Sequence, residues 1–376
     1  MRKIKLLFVF YTLEAGGAER NLINIANLLS EKEYFEIKIF VFRKSNTFEK
    51  YISRRIDLIF YNDITEKTFK KISDYILFGY ALSRIPDLLS FNYIIAIHEH
   101  LPEIAVRAIK FYNLSQWREI KKKSVLVVHF SPLVFINSRN NIMKRYFHKY
   151  IYLTRINNFN KIVVISKQIH SEHFYKKKVK LIVNPIYVNK IIQLSNEKTN
   201  VIKSKYFVHI GSIQEIKNQL FILDSLKEEN KKYEFEIIFI GRIIDNVYYK
   251  KLLDRIIELE DKVKIRFLGE LINPFPILKH SLGLINVSLY ESFSHVIHEA
   301  MVLKVPVISF LNNNNEFITN DNVIYVKKNH LDLISKLILI ASKELDTSTA
   351  SNNAFKYVQQ FDVKKIVTKY DDLFRT

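Results

Sequence analysis

Glu291 and Glu299 are the residues whose type and spacing most invite chemistry. They stand in Ser288-Leu-Tyr-Glu291-Ser-Phe-Ser294-His-Val-Ile-His-Glu299-Ala-Met301, directly after the apolar run Gly283-Leu-Ile-Asn-Val287. Val296, Ile297, Ala300 and Met301 recur at helical spacing, so the stretch predicts a strand, a short turn and a helix. Glu291 then sits in the turn and Glu299 just over one helical turn inside. At the C-terminal end of a parallel strand, a helix N-terminus presents unpaired N–H groups and partial positive charge to an anion. By themselves the two residues fit an acidic helix start at least as well, because the macrodipole favours glutamate there.

Other chemistry-bearing residues are placed in the same way, at the ends of apolar runs. Ile4 to Phe10 leads to Thr12-Leu-Glu-Ala-Gly16-Gly17-Ala-Glu19-Arg20 and a helix carrying Leu22, Ile23, Ile25, Ala26, Leu28 and Leu29. Paired glycines between strand and helix let backbone approach a phosphate, although the full G-x-G-x-x-G pattern is missing. Ser124 to Val128 delivers His129, Phe235 to Ile240 delivers Gly241-Arg242, and Tyr206 to Ile210 delivers Gly211-Ser212-Ile-Gln-Glu-Ile-Lys217-Asn218. In Ile97-His98-Glu99-His100 the two histidines point to opposite sides of an extended segment, so no metal site is expected.

The Glu291-x7-Glu299 spacing, the following Glu-Ala-Met-x-x-x-x-Pro-Val-Ile, and Gly-Gly-Ala-Glu-Arg near the N-terminus resemble the family 4 retaining glycosyltransferases of the GT-B fold. The resemblance runs in order along essentially the whole chain. It implies a nucleotide diphosphate sugar donor, with Glu291 beside the sugar ring and Glu299 on the ribose hydroxyls. Backbone N–H groups of Phe293, Ser294, His295 and Val296 would touch sugar and phosphate, and the Gly16-Gly17 loop would face an inter-domain cleft. His129 would face the donor sugar from the N-terminal domain. Lys217, after Gly211, would hold the leaving diphosphate.

The chain departs from the family at four positions. Ser212 stands where arginine is usual, and Ser292, Ser294 and Lys304 stand where glycine is usual. Ser212 removes one of two expected cations, which makes Arg242 the candidate substitute, while the Ser294 hydroxyl is expected to cap the helix. The implied activity is transfer of a hexosyl or N-acetylhexosaminyl group, with retention by front-face attack, to a hydroxyl of a glycan or lipid-linked acceptor. Bacterial surface polysaccharide, lipopolysaccharide or glycan assembly is the implied setting. Neither a metal nor a cofactor beyond the donor substrate is expected. The alternative is a non-catalytic GT-B binding subunit that supports an active partner.

Alternating strands and amphipathic helices predict an α/β chain of two Rossmann-like doubly wound domains. The first is expected over 1–190 and the second over 200–360, with polar Gln193 to Lys205 as boundary and the periodic helix after Phe361 crossing back to the first domain. A length of 376 residues suits two domains, and the absence of cysteine excludes disulfides and thiolate metal sites and suits a cytoplasmic location. The charge of +20 calls for an anionic partner or follows from a composition rich in Ile, Lys, Asn, Phe and Tyr. No nucleic-acid module is recognisable. Lys121 to Lys123, Lys176 to Lys178 and the amphipathic stretch Arg139 to Lys161 fit either peripheral binding on an anionic membrane surface or a core-packed helix with a solvated face. Met1 to Phe10 imitates a signal peptide but reads as the first buried strand, because an amphipathic helix of the fold follows it.

Overall fold

Continuous apolar runs form the strands of both halves of the chain, as parallel sheets buried on both faces require. The computed structural model describes residues 3–13, 17–43, 49–61, 73–97, 101–129, 156–171, 178–198, 202–291, 293–310 and 317–375, with single helical positions at Met143, Tyr146, Tyr150 and Thr154. It divides into two units, residues 1–185 with 364–376, and residues 186–363.

The first unit holds a 7-stranded sheet in the order β3-β2-β1-β4-β5-β6-β7. Its strands are β1 (Ile4–Phe10), β2 (Phe35–Val41), β3 (Asp57–Phe60), β4 (Tyr93–Ile97), β5 (Ser124–Val128), β6 (Lys161–Val164) and β7 (Val179–Leu181), all parallel to their neighbours. The strand read from Met1 to Phe10 is thus β1, with Leu6 to Phe10 fully buried between β2 and β4. Strand order reverses between β1 and β4, so residues 11–13 leave the sheet at its switch point.

The closing helix Val363–Arg375 belongs to this unit. Ile366, Val367, Tyr370, Leu373 and Phe374 form one buried stripe, and Phe374 meets Phe35 edge-on with ring centroids 6.4 Å apart. Buried Asp371 pairs with Lys32 and accepts a hydrogen bond from the Tyr34 hydroxyl at 2.8 Å. Lys161 Nζ donates to the Leu373 carbonyl at 2.8 Å, a cation satisfying the end of the helix.

The second unit carries a 6-stranded sheet ordered β10-β9-β8-β11-β12-β13. It is made of β8 (Tyr206–Ile210), β9 (Glu236–Ile240), β10 (Ile265–Phe267), β11 (Gly283–Asn286), β12 (Val307–Phe310) and β13 (Ile324–Val326), again all parallel. The division between units falls at Pro185, before the polar stretch expected to mark it. The helix Val188–Leu194 lies with the second unit: Asn273 Nδ2 donates to the Leu194 carbonyl at 2.9 Å, and Ile186 bridges to Asp362. Lys304 ends the helix His295–Val302 at φ 56°, a left-handed backbone position, which explains why glycine suits the site better.

Candidate active site

The switch point of the second sheet lies between β8 and β11, so the loops leaving these two strands are neighbours. Past β8 and β9 the ladder continues: Gly211 N–H donates to the Ile240 carbonyl at 2.9 Å and Ile213 N–H to the Arg242 carbonyl at 2.8 Å. This brings two chains very close. Gly241 has φ 154°, and a Cβ built there would lie 2.0 Å from the Gly211 carbonyl oxygen. Gly241→Ala is therefore expected to cost about 2–4 kcal/mol and to shift the loop after β8. Thermal melting checks it, and an unchanged midpoint would show that the loops part without cost.

Between Gly211 and Asn218 the chain folds into one tight turn. Ser212 Oγ accepts from Gln214 Nε2 at 2.7 Å, and its carbonyl accepts from Gln219 Nε2 at 2.9 Å. A short 3-10 turn over Glu215–Lys217 ends at Asn218, whose φ of 58° is a left-handed conformation that asparagine tolerates well. Asn218 Nδ2 donates to the Val287 carbonyl at 3.2 Å, and Leu289 N–H to the Ile216 carbonyl at 2.9 Å. Those bonds staple the loop after β8 to the turn after β11.

The staple brings two expected site residues together. Lys217 Nζ donates to Glu291 Oε1 at 2.7 Å, and Ser288 Oγ donates to the same oxygen at 2.8 Å. Both partners are largely withdrawn from solvent, with side chains 23% and 11% exposed. Beyond the turn, Phe293 is buried and stacks on His298 with centroids 4.2 Å apart and planes 6° apart, while Phe317 meets Phe293 edge-on at 4.9 Å. This aromatic box fixes the backbone where the helix His295–Val302 begins.

One expectation fails at that helix. Ser294 occupies the N-cap position, with φ −80° and ψ 102°, but its hydroxyl makes no capping bond. Its carbonyl is the group engaged, meeting His298 Nδ1 at 2.7 Å, so His298 rather than Ser294 ties down the first turn. His295, Val296 and Glu299 are half-buried on the same helix, with Glu299 in its second turn. Arg242 is exposed at the end of β9.

In the first unit, His129 is buried directly after β5, and Gly17 opens the helix Gly17–Ser30. Gly16 and Ser292 lie outside the described residues, as do His98, Glu99 and His100. Among the described residues no group of three or more His, Asp or Glu side chains could hold a metal ion.

Two buried histidines were missed by reading the chain. His209, on β8, places Nδ1 3.0 Å from the Ile285 carbonyl, and burial pushes its pKa down to about 4. Burial likewise pushes His298 down to about 3. Both are neutral near pH 7 and carry the proton on Nδ1, where the carbonyl accepts it. A polar residue within the apolar run Tyr206 to Ile210 was the available signal for His209. Spacing offered none for Ser288 as a partner of Glu291.

The chain has the GT-B fold of two Rossmann-like units, and residues 204–342, which include Lys217, Glu291 and Glu299, match the family Glycosyl transferases group 1. That match lies wholly within the second unit.

An uncharacterized glycosyltransferase of Methanocaldococcus jannaschii is 33% identical over 174 residues, which span 44% of this chain and 41% of that protein. A second relative, from Campylobacter jejuni, is 23% identical over 377 residues, 96% of each chain. It is named GalNAc-alpha-(1->4)-GalNAc-alpha-(1->3)-diNAcBac-PP-undecaprenol alpha-1,4-N-acetyl-D-galactosaminyltransferase. Among solved structures, Anabaena HepE in complex with UDP superposes with a TM-score of 0.73 at 17% identity, covering 99% of this chain and 100% of that one. That likeness shows the fold.

Proposed function

We propose that this protein is a metal-independent retaining glycosyltransferase that moves a hexosyl or N-acetylhexosaminyl group from a nucleotide diphosphate sugar to a hydroxyl of a glycan or lipid-linked acceptor. Assembly of a bacterial surface polysaccharide or lipopolysaccharide is the process it would serve. The observation that carries this reading is the meeting of Lys217 with Glu291 at 2.7 Å, at the switch point of a sheet and at the head of the helix bearing Glu299. The UDP complex of the structural neighbour and the sugar-transferring relative support a nucleotide-sugar donor.

In this reading the Lys217 ammonium and the helix N-terminus near Ser294 face the diphosphate, where negative charge develops as the glycosidic bond breaks. Their preorganised charge does the work otherwise given to a divalent cation. Glu291, held by Ser288, lies against the sugar ring, whose oxocarbenium-like charge it stabilises. Glu299 accepts hydrogen bonds from the ribose hydroxyls. Incubation with UDP-, GDP- and CMP-sugars, followed by release of the nucleotide, tests the activity. Failure to bind, hydrolyse or transfer from any of them would favour the binding-subunit alternative. Glu299→Ala is expected to weaken donor binding by about 1.5–3 kcal/mol, read by calorimetry. An unchanged Kd removes Glu299 from the site.

The same reading places the first unit on an anionic membrane surface. Met143, Tyr146 and Tyr150, helical and spaced along one face, are 81%, 72% and 68% exposed. Lys121 to Lys123 end the helix Leu114–Lys123 nearby in the chain. Among the described residues no helix is long and apolar enough to cross a membrane. Co-flotation with anionic but not neutral vesicles, weakened by salt, is the expected result; no flotation at low salt removes the membrane claim.

A further inference from the structure

His209 is fully buried and held by one ring nitrogen only. Its Nδ1 is 3.0 Å from the Ile285 carbonyl on β11, the strand that leads to Glu291. Its Nε2 is buried and has no hydrogen-bond partner among the described residues. A buried acceptor left unpaired costs free energy, so its retention asks for a reason. The surroundings supply one. A Cβ built on Gly211 would lie 3.4 Å from His209 Nε2 and 3.6 Å from Lys217 Cδ, so the histidine and the lysine stem both border the space beside Gly211. The imidazole is neutral, because burial, with the Lys217 charge as a lesser cause, lowers its pKa to about 4. Nε2 therefore offers a lone pair. The Lys217 ammonium has three donors, and of these Glu291 takes one at 2.7 Å.

We propose that His209 is a positioning residue for Lys217: across the space beside Gly211, its Nε2 accepts a hydrogen bond from the Lys217 ammonium when that ammonium turns from Glu291 to a bound diphosphate. This rests on the donor-site reading given above. No covalent step is involved. The lysine exchanges one acceptor for two, a phosphate oxygen and the imidazole, and the unpaired nitrogen gains its partner only in the liganded state. His209 thus spends its cost in the empty site and returns it on binding, which biases Lys217 toward the ligand.

The test uses the full chain and UDP as probe. Calorimetry on wild type, His209→Phe and His209→Gln should show UDP bound roughly tenfold more weakly by His209→Phe, with recovery in His209→Gln, whose amide oxygen supplies an acceptor again. In wild type, the nitrogen NMR signal of His209 Nε2 should move toward the hydrogen-bonded acceptor position on adding UDP, while the Nδ1 signal stays. This second readout needs no variant to fold. His209→Phe should melt near the wild-type midpoint, since it removes a buried unpaired acceptor together with the bond to the Ile285 carbonyl while keeping a ring against Phe239. A lower midpoint with wild-type UDP affinity would mean a purely structural histidine and overturn the inference, as would an Nε2 signal unmoved by UDP. Should wild type bind neither UDP nor any other nucleotide tried, the donor-site reading falls and the inference with it. If wild type binds UDP and His209→Phe binds it equally well, only the inference falls.

Discussion

Lys217→Ala is expected to lower sugar transfer by a factor on the order of 10²–10³, the usual loss when a preorganised group facing the developing charge is deleted. The expectation is large because Ser212 supplies no second cation. Its hydroxyl is occupied by Gln214 at 2.7 Å, so the loop after β8 carries one ammonium where the resembled family carries arginine and lysine. Nucleotide release assays on the variant measure the effect, and wild-type turnover would move the diphosphate elsewhere. Two further substitutions locate the remaining charge. Ser212→Arg should tighten donor binding by about 1–3 kcal/mol, since a charge-assisted hydrogen bond is restored. Arg242→Ala should weaken binding only where the exposed guanidinium at the end of β9 has taken over the missing role. Calorimetric Kd values for the three variants separate these accounts.

Below pH 6.5 the second unit should lose stability steeply. His209 and His298 titrate near 6.5 when unfolded, but burial pushes them down to about 4 and about 3 in the folded chain. Above pH 6.5 neither state is protonated and the contribution is constant. As pH falls below 6.5 the unfolded chain takes up two protons that the fold refuses, so stability drops by about 1.4 kcal/mol per pH unit for each histidine. Near pH 4 the sum is on the order of 6–7 kcal/mol, comparable with the whole stability of a typical domain. Between pH 6.5 and 5 carboxylates stay largely ionised, so the effect in that window belongs to the histidines. Melting followed by near-UV circular dichroism across this range should show the slope, and His209→Phe with His298→Phe should flatten it. The single tryptophan, Trp117, lies in the first unit and its fluorescence should report a shallower dependence. A slope unchanged in the double variant would assign the acid sensitivity to other groups.

Most strands were legible in the chain because each is a local apolar run. Ile4–Phe10, Ser124–Val128, Tyr206–Ile210 and Gly283–Asn286 all lie where the runs predict them. Asp57–Phe60 and Ile324–Val326 were missed, and both are edge strands, short and incompletely buried, whose pattern is diluted by polar residues. Lys304 was recognised as a departure from glycine, yet only its φ of 56° gives that departure a physical meaning.

The candidate site divides in the same way. Local spacing was enough to place Glu299 on a helix and Glu291 in the turn before it, because helical periodicity is written over a few neighbouring residues. Lys217 was expected on the diphosphate from its place after β8, but its pairing with Glu291, whose carboxylate Ser288 also holds, is set by which strands are neighbours. The Ser294 hydroxyl was expected as a cap, but the Nδ1 of His298, stacked on Phe293, engages that residue's carbonyl instead. His209 became a candidate only when β8 and β11 lay side by side and its buried Nε2 came to border Gly211 beside Lys217. Periodicity reports how a segment meets the core. Which loops meet one another follows from strand order, and that order is settled by long-range packing, which no single segment encodes.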